Sequence, residues 1–334
     1  MFNLHNFPLA LQTAKVICYN FFLQKKQCNL RKENPIDIAL DTNKMKIGFV
    51  GLGLIGGSIA KAIRENLPDT IIVAYDIYGK LLDVALVDGT INKACYEIDD
   101  NFLNCDYIFL CAPVTGNEDN IREIITYCGK NTILTDVGST KGNIHRALDE
   151  IGFDGVFIGG HPMAGSEKYG YDNADSSIIK GAYYVLTPGK NASDKQIEDY
   201  ASFVKSIGLN PVIMDIELHD TATGVISHVP HVISASLVHF LINHDNDKQT
   251  MKTLAAGGFR DVTRTASSSV KMWEDICIAN NEIICSLLDD YIDELKDIRD
   301  TIHSKDKASI AKFFSEAKEY RDFLYADNPK FNKR

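Results

Sequence analysis

Continuously apolar runs alternate with helical patterns along the chain from Met45 to Asp215. A run without polar interruptions is typical of a strand that is buried on both faces of a sheet. Strands of this kind, separated by helices, predict a doubly wound and mostly parallel α/β sheet that is covered by helices on both sides. The predicted strands are KIGFVGLG, TIIVAYD, YIFLCAPV, TILTDVGS, GVFIGG, AYYVLTP and NPVIMD.

Strand signals stop after Asp215, and the rest of the chain has the periodicity of helices. Near the C-terminus the apolar positions are spaced alternately by four and three residues, at 284, 288, 291, 295, 298 and 302. This heptad seam predicts long helix-on-helix packing. We favour a subunit interface over the alternative, a hairpin with the following helix around Phe313, Phe314 and Tyr320.

The two patterns divide the chain into three parts. We expect an N-terminal extension over residues 1–44, a nucleotide-binding sheet domain over 45–215 and an all-helical domain over 216–334. The extension is basic, with no acidic residue before Glu33, which is also a property of organelle-targeting peptides. It has no small-residue cleavage site, and we interpret it as a disordered or non-native segment that precedes the natural start at Met45.

Composition narrows the possible classes of function. The 334 residues include 35 Lys and Arg against 45 Asp and Glu, and the net charge of −10 argues against a nucleic-acid partner. No stretch reaches the roughly 18 apolar residues that a membrane span needs. The eight cysteines form no C-x-x-C pair, as expected for the reduced thiols of a cytoplasmic protein.

A glycine-rich loop, GLGLIGG, follows the first predicted strand and begins a helix. Gly51, Gly53 and Gly56 form G-x-G-x-x-G, which permits a tight turn, the approach of a pyrophosphate and close helix–strand packing. The second strand ends at Asp76, where a carboxylate would bind both ribose hydroxyls and repel a 2′-phosphate. The sequence thus predicts a Rossmann-type domain that binds NAD rather than NADP, with Lys80 as the residue that could offset this preference.

Two polar residues follow neighbouring predicted strands at their carboxyl ends, where doubly wound sheets bind ligands. Ser139 lies in TDVGSTKG and His161 lies in GGHPMAGSEKYG. An enzyme that oxidises an alcohol by hydride transfer needs a base for the hydroxyl proton, and a neutral histidine suits this role near pH 7. We expect His161 to be that base, the alternative being a structural histidine.

Five of the nine histidines, at 219, 228, 231, 239 and 244, fall in one helical stretch. His228 and His231 are three residues apart and share a face, with Pro230 kinking the helix between them. Neither an H-E-x-x-H motif nor a suitably spaced carboxylate accompanies them, so we predict no metal site.

Further along, the segment GGFRDVTRTASSS contains Arg260 and Arg264, a local excess of positive charge in an acidic protein. Arginine suits bidentate binding of a carboxylate, which makes this segment a candidate anion site. Two alternatives are surface ion pairing with Asp261 or Glu274 and binding of the anion by Lys141.

These segments together resemble the prephenate dehydrogenase family of tyrosine biosynthesis. The similarity runs from Met45 to about Tyr325 and rests on GGHPMAGSEKYG, SHVPHVISASL and GFRDVTR, in this order. The resemblance implies a nucleotide-binding domain followed by a helical domain through which two chains form a homodimer. It also implies NAD-dependent oxidative decarboxylation of prephenate to 4-hydroxyphenylpyruvate.

The resemblance also implies roles for single residues. His161 corresponds to the catalytic histidine, Ser139 to a serine that orients the substrate hydroxyl and the nicotinamide, and Arg264 to the arginine that binds the ring carboxylate. His231 would line the substrate pocket, and Glu167 would gate its mouth. The remaining expected contacts are Arg260 with Asp261 in the pocket, and Gly51, Gly53, Leu54, Ile55, Gly56, Asp76 and Pro113 at the cofactor.

Three alternatives for the function remain open. The same fold could act on arogenate, the amino analogue of prephenate, and no residue of this sequence separates the two substrates. The β-hydroxyacid dehydrogenases share the glycine loop, but they use a lysine in a later helix and lack the H-P-M-A-G-S-E loop. An NAD-binding sensor that docks a partner would leave His161, Ser139 and Arg264 without a joint explanation.

Overall fold

The computed structural model describes residues 45–112, 118–165 and 168–326, without the side chains of Glu118 and Asp119. Three predicted features, the extension over 1–44, Pro113 and Glu167, lie outside the described residues. The described chain falls into two compact units, one that ends at Ile284 and one that begins at Cys285. The predicted division at Asp215 stays a prediction.

Eight strands form one sheet in the larger unit: β1 (Lys46–Val50), β2 (Ile71–Tyr75), β3 (Lys93–Cys95), β4 (Tyr107–Leu110), β5 (Ile133–Asp136), β6 (Val156–Pro162), β7 (Tyr183–Pro188) and β8 (Asn210–Ile213). Their order is β3-β2-β1-β4-β5-β6-β7-β8, and all neighbours pair in parallel except β6 and β7. The predicted mostly parallel sheet is confirmed. The seven predicted strands are present, and the short β3 is an addition.

Five helices connect the strands of the sheet: α1 (Leu54–Asn66), α2 (Gly79–Val87), α3 (Glu118–Ile124), α4 (Gly142–Ile151) and α5 (Asp194–Ser206). Ile47 and Phe49 of β1 belong to one apolar core, and Val50 belongs to a second. Successive side chains of a strand point to opposite faces, so the sheet is buried on both sides. This explains why the strands are continuously apolar in sequence.

The chain after β8 is helical, as predicted, with α6 (Ile216–Thr223), α7 (Val229–His244), α8 (Thr250–Leu254), α9 (Gly257–Val262), α10 (Val270–Ala279), α11 (Asn281–His303) and α12 (Lys307–Tyr325). A π-helical turn, Gly224–His228, joins α6 to α7. Pro230 lies in the first turn of α7, two residues after this π-turn. A π-turn therefore lies next to the position where the kink at Pro230 was predicted.

One helical run, residues 216–244, is long and apolar enough to cross a membrane by length and composition, with a mean hydropathy of 1.6 in its most apolar window. The expectation that no stretch is long and apolar enough to span a membrane is wrong. It counted consecutive apolar residues, and the scattered polar residues of this run interrupt such a count while its mean hydropathy stays high. Two of these, His219 and Asp220, are buried and bond to the sheet half of the unit. We therefore interpret the run as part of the folded protein.

The heptad seam lies along α11 and is only partly covered. Ile284 is buried, whereas Leu295 and Ile302 are 48% and 55% exposed. No side chain of α12 is buried, so the hairpin alternative does not bury the seam within the described residues. The subunit interface that we favoured for the seam stays a prediction.

The two glycines before His161 occupy positions in β6 that leave no room for a side chain. A Cβ on Gly160 would overlap the Tyr184 hydroxyl and the Asp136 carbonyl, and a Cβ on Gly159 would overlap the Thr187 hydroxyl. Without side chains at these two positions, β6 packs closely against its two neighbours, β5 and β7. This close packing restricts the position of the backbone that carries His161.

Candidate active site

The loop after β1 has the geometry that the glycine motif predicts. Gly51 has a φ of +93°, and a Cβ on Gly56 would lie 2.8 Å from the Gly51 carbonyl oxygen. A Cβ on Gly53 would meet no described protein atom within 4 Å, so this glycine exposes its backbone. Leu54 and Ile55 follow in the first turn of α1, which holds no acidic residue. A pyrophosphate fits such a helix N-terminus.

Asp76 follows β2, and its half-buried carboxylate lies beside the glycine loop. One oxygen accepts the N–H of Leu52 at 2.8 Å, and the other accepts the N–H of Tyr78 at 2.9 Å. The two bonds orient the carboxylate where this fold binds a ribose diol. Lys80 is exposed in the first turn of α2.

A buried ion pair supports the loop that contains Ser139. The ammonium of Lys141 donates to the Asp136 carboxylate and, at 2.8 Å, to the Gly160 carbonyl, and both charged side chains are almost fully buried. Asp136 also accepts the N–H groups of Gly138 and Gly160 at 2.9 and 3.0 Å. Burial lowers the pKa of Lys141, and Asp136 opposes that shift. A paired, buried ammonium cannot reach a substrate, which argues against Lys141 as the anion-binding residue.

His161 is the outer member of a hydrogen-bonded chain of three side chains. Its Nδ1 lies 2.8 Å from Nε2 of His219, and Nδ1 of His219 lies 2.7 Å from Oδ1 of Asp220. His161 is partly exposed, whereas His219 and Asp220 are buried. Burial lowers the pKa of His161 well below its usual value, and its interactions with His219, Lys141 and His228 lower it further. His161 is therefore neutral at pH 7.

Asp220 joins the helical part of the larger unit to the sheet. Its carboxylate oxygens accept the N–H groups of Lys141 and Gly142, each at 2.7 Å, at the beginning of α4. Burial on its own would raise the pKa of Asp220, but the hydrogen bonds from His219, Lys141 and Gly142 outweigh burial and lower it. The carboxylate is therefore ionised at neutral pH.

Asn280, just after α10, fixes the next histidine along the helical run. Its amide donates to the Asp220 carbonyl and to Nδ1 of His228, each at 3.1 Å. His228 is buried, and burial is the main cause that lowers its pKa to about 4. His228 is therefore a neutral histidine with a structural partner on one nitrogen.

His231 lies one turn further and has a different environment. Its Nδ1–H donates to the Ser227 carbonyl at 2.8 Å, and its ring stacks on Trp273 with a centroid distance of 3.8 Å. Burial lowers the pKa of His231, and the positive charge of Arg264 lowers it further. Helix α7, which contains His231, packs against the 3-10 turn Arg264–Ser267, and the bond of Nδ1 to Ser227 leaves Nε2 of His231 as the ring acceptor.

The other predicted site residues are Ser139, Arg264 and Arg260. Ser139 lies in the loop after β5, and its side chain makes no hydrogen bond to the described residues. Arg264 is exposed at the start of a 3-10 turn, Arg264–Ser267. Arg260 is 80% exposed and bonds to Asp261 at 3.3 Å, which is the surface pairing considered as its alternative.

Comparison with known proteins identifies both halves of the chain. The model "Prephenate dehydrogenase, nucleotide-binding domain" matches residues 59–212, and "Prephenate dehydrogenase, dimerization domain" matches residues 215–316. The prephenate dehydrogenase of Bacillus subtilis (strain 168) is 38% identical over 287 residues, which cover 84% of this chain and 77% of that protein. The chain belongs to the prephenate dehydrogenase family. It is therefore an oxidoreductase.

Solved structures of prephenate dehydrogenase relatives share the fold. The prephenate dehydrogenase from A. aeolicus, in complex with hydroxyphenyl propionate and NAD+, has a TM-score of 0.79 and 28% identity, covering 84% of this chain and 98% of that one. The arogenate dehydrogenase from Synechocystis has a TM-score of 0.76 and 27% identity, covering 84% and 100%. Both agree with the sheet and the helical region described above.

The polar residues behind His161 were not predicted from the sequence of this member of the prephenate dehydrogenase family. His219 was one of five histidines without an assigned role, and Asp220 and Asn280 were not among the predicted site residues. A signal was available, since an adjacent His-Asp pair in an otherwise apolar helical run needs buried partners. The sequence does not show which residues those partners are.

Asp76→Asn tests the role of the carboxylate at the end of β2. We expect NADH binding to weaken about tenfold or more, because hydrogen bonds to a charged group contribute about 1.5–3 kcal/mol. The preference for NADH over NADPH should narrow, because the charge that repels a 2′-phosphate is lost. Fluorescence titration with both nucleotides measures both effects, with the exposed Asp69→Asn as the matched control. Unchanged NADH affinity in Asp76→Asn would rule this role out.

Proposed function

We propose that this protein catalyses the NAD-dependent oxidative decarboxylation of prephenate, with His161 as the base. The observation that carries the proposal is the hydrogen bonding of His161, which lies at the carboxyl end of β6. One ring nitrogen bonds to His219, so the other is the one that can accept a proton from a substrate. Ligands of doubly wound sheets bind at this end of the strands.

The residues after β1 and β2 fit NAD. The backbone at Gly53 and the N-terminus of α1 would hold the pyrophosphate, with Gly51, Leu54, Ile55 and Gly56 forming the turn around it. The Asp76 carboxylate would bind the ribose hydroxyls. NAD, when bound, supplies the acceptor for the hydride of the ring carbinol. Pro113 lies outside the described residues and stays a predicted contact.

The protein's own contribution to the chemical step is proton transfer and positioning. Nε2 of His161 accepts the proton of the ring hydroxyl as the carbinol carbon is oxidised. A general base of this kind contributes about 10²–10⁴-fold to the rate. Ser139, in the neighbouring strand-end loop, would orient the hydroxyl and the nicotinamide. Placement of these groups supplies a further large share of the catalysis.

Loss of carbon dioxide follows from the chemistry of the ring. Oxidation of the carbinol gives a dienone that still carries a carboxylate on the opposite ring carbon. When the bond to this carboxylate breaks, its electron pair completes an aromatic ring and carbon dioxide leaves. The resulting phenolate oxygen takes back the proton held by His161. The protein therefore needs a single acid–base group for both steps.

The surface around His231 suits an anionic substrate. Arg264 would bind the ring carboxylate, since a guanidinium offers two parallel donors to two oxygens. His231 is its neighbour and would present Nε2 to the substrate from the stack on Trp273. Arg260, exposed and paired with Asp261, would be a secondary contact. Glu167 lies outside the described residues, and its gating role stays a prediction.

Arogenate is the second candidate substrate. The solved relative from Synechocystis is an arogenate dehydrogenase with 27% identity to this chain. Arogenate has the same ring hydroxyl and ring carboxylate as prephenate, so His161 and Arg264 would play the same parts. The two substrates differ in the side chain, which carries a ketone in prephenate and an ammonium in arogenate.

A homodimer is the assembly that best fits the helical half. Residues 215–316 match a dimerization domain. Three large apolar side chains of the run 216–244, Ile226, Phe240 and Ile242, are each at least 60% exposed in the single chain. A second subunit would cover them. The cytoplasmic location and the absence of nucleic-acid and membrane partners stay predictions.

The formation of NADH by the purified protein, with NAD and either prephenate or arogenate, tests the proposed function. We expect activity with prephenate, and His161→Asn should lower kcat by about 10²-fold or more because the base is lost. NADH binding should stay unchanged in that variant, as checked by fluorescence titration. Activity with arogenate alone would change the substrate, and wild-type turnover in His161→Asn would remove His161 from the mechanism.

Arg264→Ala tests the binding of the ring carboxylate. We expect the KM for the substrate to rise about tenfold or more and kcat to change less, because the arginine binds a group that stays ionised until it leaves. Initial-rate kinetics at saturating NAD measure both constants. Arg146→Ala removes the same charge from an exposed position on α4 and is the matched control. An unchanged KM in Arg264→Ala would place the carboxylate elsewhere.

A further inference from the structure

Two buried side chains of α6 lie directly behind His161. His219 bonds to Nδ1 of His161 at 2.8 Å, and Asp220 bonds to the other nitrogen of His219 at 2.7 Å. We propose that His219 and Asp220 are positioning residues, which keep Nε2 of His161 unprotonated and directed at the substrate hydroxyl. This proposal rests on the role of His161 proposed above.

The carboxylate of Asp220 determines where every proton in the chain lies. An ionised carboxylate only accepts, so Nδ1 of His219 must carry the proton that lies between them. When His219 carries this one proton, its Nε2 is an acceptor, and Nδ1 of His161 donates to it. Neutral His161 is left with its lone pair on Nε2. The wrong tautomer, with the proton on Nε2, could not accept the hydroxyl proton.

The same chain stabilises the charge that forms during the reaction. One proton moves from the substrate hydroxyl to Nε2 of His161, and the ring becomes an imidazolium. Its Nδ1–H then donates to His219 as a charged donor, which strengthens that bond. The negative charge of Asp220 lies at the far end of His219 and attracts the new positive charge. His219 and Asp220 neither gain nor lose a proton in this step.

The charges around His161 make Asp220 the relevant anion. The groups that face His161 are Lys141 from the loop after β5, His219 from α6 and His228 from the π-turn. The positive charge of Lys141 is matched by its buried partner Asp136. The hydrogen-bond donors of Asp220 are two backbone N–H groups and the ring of His219, and no Lys or Arg forms an ion pair with it among the described residues. An imidazolium at His161 would therefore lie one ring away from the carboxylate of Asp220.

A purely structural role is the alternative, since Asp220 also accepts the first N–H groups of α4. Substitution of Asp220 itself would mix the two roles. His219 separates them, because it has no bond to α4 among the described residues. We therefore place the test on His219.

The experiment compares His219→Leu with His219→Gln, using whichever substrate the unaltered protein oxidises. Leucine removes both hydrogen bonds. Glutamine can accept from His161 with its carbonyl oxygen and donate to Asp220 with its amide nitrogen, so it preserves the required tautomer. We expect kcat to fall about 10²-fold or more in His219→Leu, which is the range for losing a general base. His219→Gln should recover most of that loss.

The pH profile of kcat/KM supplies a readout that a structural role would not change. In His219→Leu the protonated form of His161 loses its acceptor, so the acidic limb should move to lower pH. In His219→Gln it should stay close to that of the unaltered protein. The melting temperature and NADH affinity are measured in parallel. His145→Leu is the matched control. His145 is a partly buried histidine whose ring bonds to the Thr187 hydroxyl, and its replacement should leave kcat and the acidic limb unchanged.

The outcomes separate this proposal from the proposed function. If the unaltered protein oxidises neither prephenate nor arogenate, the proposed function fails. If it is active and folded His219→Leu has the same kcat and acidic limb, the positioning role fails. Equal losses in His219→Leu and His219→Gln at equal melting temperature would also overturn it, because the tautomer is preserved in only one of them.

Discussion

The carboxylate of Asp220 accepts hydrogen bonds from both parts of the larger unit, and the site depends on it. Two of its donors are backbone N–H groups at the start of α4, which follows β5, and the third is His219 of its own helix. A buried carboxylate without such donors would cost several kcal/mol and would be protonated instead. With them it stays ionised, and it connects the helical run to the strand ends where His161 lies.

The buried ion pair between Asp136 and Lys141 holds the backbone of Gly160, the residue before His161. Asp136 accepts the N–H of Gly160, and Lys141 donates to the carbonyl of the same residue. Pairs of this kind add little net stability, but they allow one arrangement of the groups around them. The ion pair and the close packing of Gly159 and Gly160 together orient the backbone of His161 at the end of β6.

The elements that depend on local pattern were predictable from the sequence. The seven long strands, the glycine loop with Asp76 and the strand-end position of His161 all follow from short-range signals. The three-residue β3 was missed because so short a segment has no period to detect. The bonds from His161 to His219 and from Lys141 to Asp220 join residues 58 and 79 positions apart, and no local pattern encodes such pairs. The surface pairing of Arg260 with the adjacent Asp261 was one of the alternatives that the sequence offered, and the structure shows it.

The protonation state of His161 is the central claim, and nitrogen-15 NMR of the histidine rings measures it directly. In protein with labelled histidines at pH 7, the account predicts that His161 is neutral, with its proton on Nδ1 and an unprotonated Nε2. The resonance can be assigned from its loss in His161→Asn. A charged ring, or a neutral ring with the proton on Nε2, would contradict the account, because neither form could accept a proton from the substrate.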